Sequence, residues 1–260
     1  MRVGVTQFDI AWENKAENQK RARTLMEEAK QQKVDLLVFP EMTLTGFSMN
    51  TKLLGEEMLL SPTLHFFKEC SKQYDMAMMF GYVEEFGEEY YNKCMLVANG
   101  KVLMDYDKIH PFSYGDEGKH YVGGSKVKTA TFMDMVVSGF VCYDLRFPEL
   151  FQAVSEQAQA IFVIANWPKE RVAHWEALLK ARAIENQCYI VGVNRIGTGN
   201  GLEYIESSMA FDPLGERLTK PDNKAPLQVV ELQAEVVASI RKQFPFKQDR
   251  KKELYANLYF

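Results

Sequence analysis

The 260-residue chain has only four cysteines, Cys70, Cys94, Cys142 and Cys188, and no two of them form a C-x-x-C pair. A disulfide scaffold and a zinc cluster are both excluded, leaving thiols of the reduced, cytosolic kind. His65, His110, His120 and His174 make no H-x-H or H-E-x-x-H set, so no metal is expected. No apolar run reaches the roughly 18 residues of a membrane span. The opening Arg2 to Phe8 shows no basic segment leading into an apolar core and cleavage site, and a cytoplasmic protein is expected. Positive charge is not in excess: 31 Lys and Arg face 35 Asp and Glu, for a formal net charge of -4. Nothing therefore marks a nucleic-acid partner. No G-x-S-x-G occurs, which removes the nucleophile elbow of serine hydrolases. Gly197-Thr198-Gly199-Asn200-Gly201 has Leu202 where a dinucleotide loop requires glycine, and a strand pattern follows, so it reads as a hairpin loop. No cofactor is expected.

What is present is an alternation of β-rich runs and helical patterns, the mark of an α/β fold. Val3 to Phe8 and Val34 to Phe39 read as strands around a helix that carries Ala22, Leu25, Met26 and Ala29 on one face. Ser61-Pro62 supplies a cap and first-turn proline for a helix with Leu64, Phe67 and Tyr74 inward. Met76 to Tyr82 is a strand, and Tyr90 to Val97 and Val102 to Tyr106 flank Asn99-Gly100, a hairpin turn in which both residues tolerate positive φ. The second half repeats the order: strand 136–141, helix from Pro148 to about Gln157, strand 161–164, helix from about Glu170 to Glu185, and strand 189–193. Ser207 to Phe211 and Leu227 to Leu232 are expected to pair around Pro213-Leu214-Gly215. With no linker and no low-complexity stretch, residues 1–260 read as one domain of two similar halves, stacked as a four-layer α-β-β-α sandwich.

Three segments place a reactive side chain just beyond a strand, where α/β sheets build their sites. They are Phe39-Pro40-Glu41, Tyr106-Asp107-Lys108 and Val141-Cys142-Tyr143-Asp144. Singly each is ordinary, since a free cysteine behaves as a small buried hydrophobe and a charged residue at a strand end is usually a solvated boundary. Together they supply a thiol-dependent acyl transfer. Cys142 is the nucleophile and must lose its proton, for which Lys108 offers a nearby cation. Glu41 takes the thiol proton, hands it to the departing amine, and then activates water against the thioester. The Lys108 ammonium and the Tyr143 backbone N–H are the expected oxyanion donors, and losing such a donor typically costs about 3 kcal/mol of barrier.

These motifs, with Asp107-Lys108-Ile109-His110 and Gly139-Phe140-Val141-Cys142-Tyr143-Asp144-Leu145-Arg146-Phe147-Pro148-Glu149, resemble the nitrilase superfamily of carbon-nitrogen hydrolases over nearly the whole chain. The resemblance implies the four-layer sandwich, a Glu41-Lys108-Cys142 triad and a second glutamate after the lysine. Glu117 matches that position, to hold Lys108 and the substrate amide; the other reading is a surface carboxylate on a Gly-rich loop.

Ala165-Asn166-Trp167-Pro168, His174-Trp175 and the 181–187 segment look most like the omega-amidase branch. That likeness implies hydrolysis of the terminal amide of 2-oxoglutaramate or 2-oxosuccinamate. Arg146 offers a fork for the distant carboxylate, or else pairs with Asp144 or Glu149. Trp167 is either a pocket wall or a core aromatic. The competing readings are an amidase for deaminated glutathione and a retired hydrolase fold serving as a binding module. Cys70, Cys94 and Cys188 read as core residues, and Arg250-Lys251-Lys252 as a solvated face. The aromatic tail, residues 247–260, is expected to dock on a second subunit, making a homodimer or higher oligomer, or on the protein's own surface.

Overall fold

The computed structural model describes residues 1–221 and 224–258. The strands of the first half are β1 (Arg2–Thr6), β2 (Phe8–Asp9), β3 (Leu36–Val38), β4 (Glu56–Glu57), β5 (Ala77–Phe86), β6 (Glu89–Ala98) and β7 (Lys101–Asp107). Those of the second are β8 (Thr129–Phe132), β9 (Met135–Val141), β10 (Ala160–Ala165), β11 (Tyr189–Gly199), β12 (Leu202–Tyr204), β13 (Met209–Phe211) and β14 (Leu227–Glu231). The helices are α1 (Lys15–Gln31), α2 (Thr51–Leu54), α3 (Pro62–Gln73), α4 (Pro148–Val154), α5 (Val172–Asn186), α6 (Ala234–Gln243) and α7 (Lys252–Leu258).

Two sheets result, one ordered β14-β1-β3-β5-β6-β7 and the other β12-β11-β10-β9-β8. Parallel strands β1, β3 and β5, linked through α1 and α3, form the centre of the first. Parallel strands β9, β10 and β11, linked through α4 and α5, form that of the second. Each half is thus a β-α-β-α-β unit, as the repeated order of elements implies.

The two-residue period of the strands builds two cores. Leu36, Val38, Met79, Cys94 and Leu96 face Val137 and Phe140 of the second sheet. Leu37, Phe39, Met78, Phe80, Met95 and Val97 pack on Ala22, Leu25 and Met26 of α1 and on Leu64, Phe67 and Cys70 of α3. Trp175, Leu179 and Ala183 of α5 cover the second sheet, completing the α-β-β-α layers. Gly139 lets the sheets approach, because a Cβ there would lie 2.8 Å from Met104 Cε and 3.0 Å from Cys94 Sγ.

Local signals act as expected. Ser61 Oγ accepts from Leu64 N at 2.9 Å, capping α3 ahead of Pro62. Asn99 and Gly100 both adopt positive φ in the β6–β7 hairpin. Gly199 pairs with Leu202 across Asn200-Gly201, so the glycine-rich stretch is a hairpin.

One expected pairing is corrected. β13 runs antiparallel to β11, while β14 crosses to the first sheet and pairs with β1, from Arg2 opposite Glu231 to Thr6 opposite Leu227. The Pro213-Leu214-Gly215 turn closes only locally, through a bridge between Phe211 and Arg217. The reason is edge protection. β1 carries buried Val3 and Val5, and without β14 its outer hydrogen-bonding edge would be open.

The tail meets the chain's own surface. Lys247 Nζ donates to Ser155 O at 2.8 Å, Arg250 bonds Gln152, and Lys252 lies 3.4 Å from Glu156, so Arg250 and Lys252 are not simply solvated. Leu254 and Leu258 stay exposed, Tyr255 is 39% exposed, and Tyr259 and Phe260 lie outside the described residues. Among the described residues no helix is long and apolar enough to cross a membrane, and no cluster of metal-ligating side chains occurs.

Candidate active site

Glu41 follows β3 on a turn whose next residue, Met42, has φ 46°. The turn is tied to β5: Thr43 N donates to Gly81 O at 2.9 Å and Gly81 N to Thr43 Oγ1 at 3.1 Å. Only glycine fits at 81, because a Cβ there would lie 2.5 Å from Met42 N and 3.0 Å from Glu41 Cα. Lys108 follows β7, its N–H donating to Asn92 O at 2.9 Å. Cys142 follows β9 at φ 47° and opens a tight 3-10 turn, Cys142–Arg146. A bulky residue in the left-handed region stores strain that the surroundings must hold in place.

Asp144 does much of that holding. Fully buried, it accepts from Tyr106 Oη at 2.8 Å, His110 N at 3.0 Å and Val141 N at 3.2 Å, and its Oδ1 lies 2.9 Å from His110 Nδ1. The His110 ring stacks on Phe147 with centroids 3.6 Å apart. The Lys108 segment and the Cys142 turn are thereby joined.

Three charged side chains converge in a dry interior. Lys108 Nζ donates to Glu41 Oε1 at 3.1 Å and to Glu117 Oε2 at 2.7 Å, with none of the three more than 1% exposed. Asn92 Nδ2 bridges the carboxylates, donating to Glu41 Oε1 at 2.7 Å and Glu117 Oε1 at 2.9 Å. Phe112 N also donates to Glu117 Oε2, at 2.5 Å. Asn166 N donates to Glu41 Oε2 at 2.9 Å, and Asn166 Nδ2 donates to the Glu41 carbonyl at 2.7 Å, so the residue after β10 fixes the carboxylate.

Burial opposes charge on Lys108, but Glu117 and then Glu41 outweigh it and hold the ammonium above the usual lysine range. Burial raises Glu117, with Lys108 pulling it back. The Cys142 thiol is pushed well up, by burial first and Glu41 next, against the pull of Lys108. Lys108 acts on the thiol with the expected sign, but two carboxylates and the dry surroundings outweigh it.

Cys142 opens into a small pocket lined also by Phe47, Phe112, Tyr143, Arg146 and Trp167, with Asn166, Pro168, Arg171, Leu202 and Tyr204 completing it. Tyr143 and Arg146 thus face the cavity as the sequence proposes. Asp144 is occupied by other partners, and among the described residues Arg146 has neither a hydrogen bond nor an ion pair, only the Trp167 ring at 5.0 Å. The alternative pairing of Arg146 with Asp144 or Glu149 is excluded. Trp167 meets both readings, lining the pocket while packing on Trp175 at 5.4 Å. Glu117 is not a surface carboxylate. Asn92, Asn166, Tyr204 and Arg171 were missed. Asn166 follows the end of β10 as Cys142 follows β9, a signal that strand ends carry; Asn92 lies inside a strand and gives none.

Comparison with known proteins agrees with this geometry. The sequence pattern of the family described as Carbon-nitrogen hydrolase matches residues 2–242. The chain belongs to the carbon-nitrogen hydrolase family. This carbon-nitrogen hydrolase is 31% identical to the 2-oxoglutaramate amidase of Bacillus subtilis (strain 168), over 97% of this chain and 98% of that protein. It is 33% identical to the omega-amidase YafV of Yersinia enterocolitica, over 98% of each. A CN-hydrolase superfamily protein of Xanthomonas campestris superposes with a TM-score of 0.90 at 28% identity, covering 96% of this chain and 97% of that one. The amidase of Nesterenkonia sp. AN1 shares the fold, with a TM-score of 0.86 at 22% identity over 99% of both chains. The enzyme is an amide-hydrolysing member of this family.

Proposed function

We propose that this enzyme hydrolyses the terminal amide of small 2-oxo acid amides, 2-oxoglutaramate and 2-oxosuccinamate, to the dicarboxylate and ammonia through a thioester on Cys142. The observation that carries the reading is Lys108 clasped by Glu41 and Glu117 within electrostatic reach of Cys142, whose thiol lines a pocket that an unpaired Arg146 also faces. The names of the Bacillus and Yersinia relatives support the substrate class.

In this mechanism the amide carbon sits over Cys142 Sγ and its oxygen between the Lys108 ammonium and the Tyr143 N–H. Glu41 removes the thiol proton as sulfur attacks, so no thiolate has to persist in the resting enzyme. The tetrahedral oxyanion is stabilised by donors already in place. Glu41 returns the proton to nitrogen and ammonia leaves. Water then loses a proton to Glu41, attacks the thioester, and the thiol is restored. Glu117 holds Lys108 in position, and Arg146 takes the distant carboxylate. All chemical groups come from the chain, without a cofactor.

Trp167 and Pro168 in the wall support a small substrate over one as long as deaminated glutathione. An assembled set of charged side chains is costly to bury without use, which disfavours a bare binding module. The exposed apolar side chains of α7 support a homodimer, and the four free thiols support a cytoplasmic location. The test is ammonia release from 2-oxoglutaramate, 2-oxosuccinamate and deaminated glutathione. Release from the first two at the higher kcat/KM is expected; preference for the third would overturn the substrate assignment.

A further inference from the structure

Two guanidinium groups wall the Cys142 pocket, and neither has a carboxylate partner. Arg146 lies 5.0 Å over the Trp167 ring and Arg171 lies 5.7 Å over the Phe112 ring. Among the described residues neither side chain has a hydrogen bond or an ion pair. Elsewhere arginines are engaged: Arg2 with Glu231, Arg21 with Glu17, Arg182 with Glu185. Both pocket arginines are half-buried, so each loses part of its hydration without compensation until a ligand brings oxygens.

They are set by different elements and joined through Trp167. Arg146 ends the turn that begins at Cys142, whereas Arg171 ends the turn before α5, and its carbonyl accepts from Trp167 Nε1 at 2.8 Å. The ring beneath one arginine is thus anchored to the backbone of the other. The charge of Arg171 acts on the neighbouring Tyr204. Burial pushes the Tyr204 phenol up to about 12, and the charges of Arg195 and Arg171 pull against that rise while Cys142 adds to it.

Charge at the site gives Arg171 a purpose. The charged side chains in the pocket lining are Arg146 and Arg171, so the pocket presents positive charge to a ligand. A 2-oxo acid presents a carboxylate and a ketone oxygen side by side, and a guanidinium fork matches two adjacent acceptors. An amino acid amide would instead bring an ammonium to the same place.

We propose that Arg171 is the specificity-determining residue that reads the substituent at C2 of the substrate, donating to a 2-oxo group and repelling a 2-ammonium group. This rests on the 2-oxo acid amide reading above, with Arg146 on the carboxylate. Discrimination against glutamine then comes from a repulsive contact as well as an attractive one, and like charges repel more strongly where little water screens them.

The experiment compares kcat and KM for 2-oxoglutaramate, glutaramate, which is bare at C2, and L-glutamine, in wild type, Arg171→Gln and Arg171→Lys. Arg171→Gln is expected to raise KM for 2-oxoglutaramate about tenfold to a hundredfold, the value of a charged hydrogen bond. Its kcat should stay within a few-fold, and glutaramate should lose much less. Glutamine should become a better substrate relative to 2-oxoglutaramate. Arg171→Lys should recover part of the 2-oxoglutaramate KM and still exclude glutamine. Alkylation of Cys142 at the wild-type rate shows that a variant's site is intact, and if Arg171→Gln does not fold, the lysine variant's partial KM effect carries the test. Equal losses on 2-oxoglutaramate and glutaramate would overturn the proposal while leaving the reaction assignment standing. A wild type that releases ammonia from glutaramate but not from 2-oxoglutaramate would defeat the substrate reading itself.

Discussion

Glu41 Oε1 and the Lys108 ammonium stand 3.1 Å apart in an interior that solvent scarcely reaches. Removing charge from water at such a place favours the neutral forms, yet Lys108 is held above the usual lysine range because Glu117 adds a second carboxylate on its other side. A lysine so committed is a poor agent for making a thiolate. Its remaining use is electrostatic, toward the oxyanion that appears when Cys142 attacks.

The pH dependence of alkylation should show this. A thiol with a raised pKa is protonated at neutrality, and its reactive fraction grows about tenfold per pH unit below that pKa. Iodoacetamide labelling of Cys142, followed by peptide mass analysis, is expected to accelerate through pH 7 to 9 without a plateau. Cys142 should still react before Cys70, Cys94 and Cys188, which are fully buried. A plateau below pH 8 would mean that a thiolate already stands.

Glu117→Gln keeps the shape of the side chain and removes one charge from beside Lys108. Glu117 raises the Cys142 thiol while Lys108 lowers it, so with Glu117 neutral the balance moves toward the lysine. The alkylation profile is expected to shift to lower pH, and kcat to fall about tenfold or more as Lys108 loses its anchor. An unmoved profile would show that Glu117 does not act on the thiol through this cluster.

Gly81→Ala places a methyl group against the backbone of Met42 and Glu41, which has no slack to yield. Overpacking of this kind costs about 1–3 kcal/mol. A lowered denaturation midpoint and a loss of ammonia release larger than the unfolded fraction accounts for are expected. Wild-type activity in this variant would mean that the Glu41 turn tolerates displacement.

Deleting Tyr255 to Phe260 removes the exposed Tyr255 and Leu258 of α7, while sparing the Lys247 contact with Ser155. Light scattering should report a smaller assembly at equal protein concentration. An unchanged mass would assign the tail to the chain's own surface.

Much of this was legible along the chain. Glu41, Lys108 and Cys142 each follow a strand, and the topology gathers such ends, so sequence position carried the geometry. Glu117 was harder, because its burial depends on Lys108, just past β7, and Asn92, inside β6, folding back to meet it. Asp144 was considered as a partner for its neighbour Arg146, but His110 and Tyr106, distant in sequence, claim it. The crossing of β14 to β1 was likewise invisible, since alternating apolar residues define a strand but not its partner. Arg171 gave no sign, because an arginine before a helix is ordinary until its lack of a carboxylate is seen in three dimensions.

The most direct measurement is ammonia release from 2-oxoglutaramate by Cys142→Ala beside the wild type. With the thiol as the nucleophile, the variant should fold, bind and release no ammonia above background. Turnover by Cys142→Ala at a sizeable fraction of the wild-type rate would contradict a thioester route and leave Glu41 and Lys108 acting on water alone.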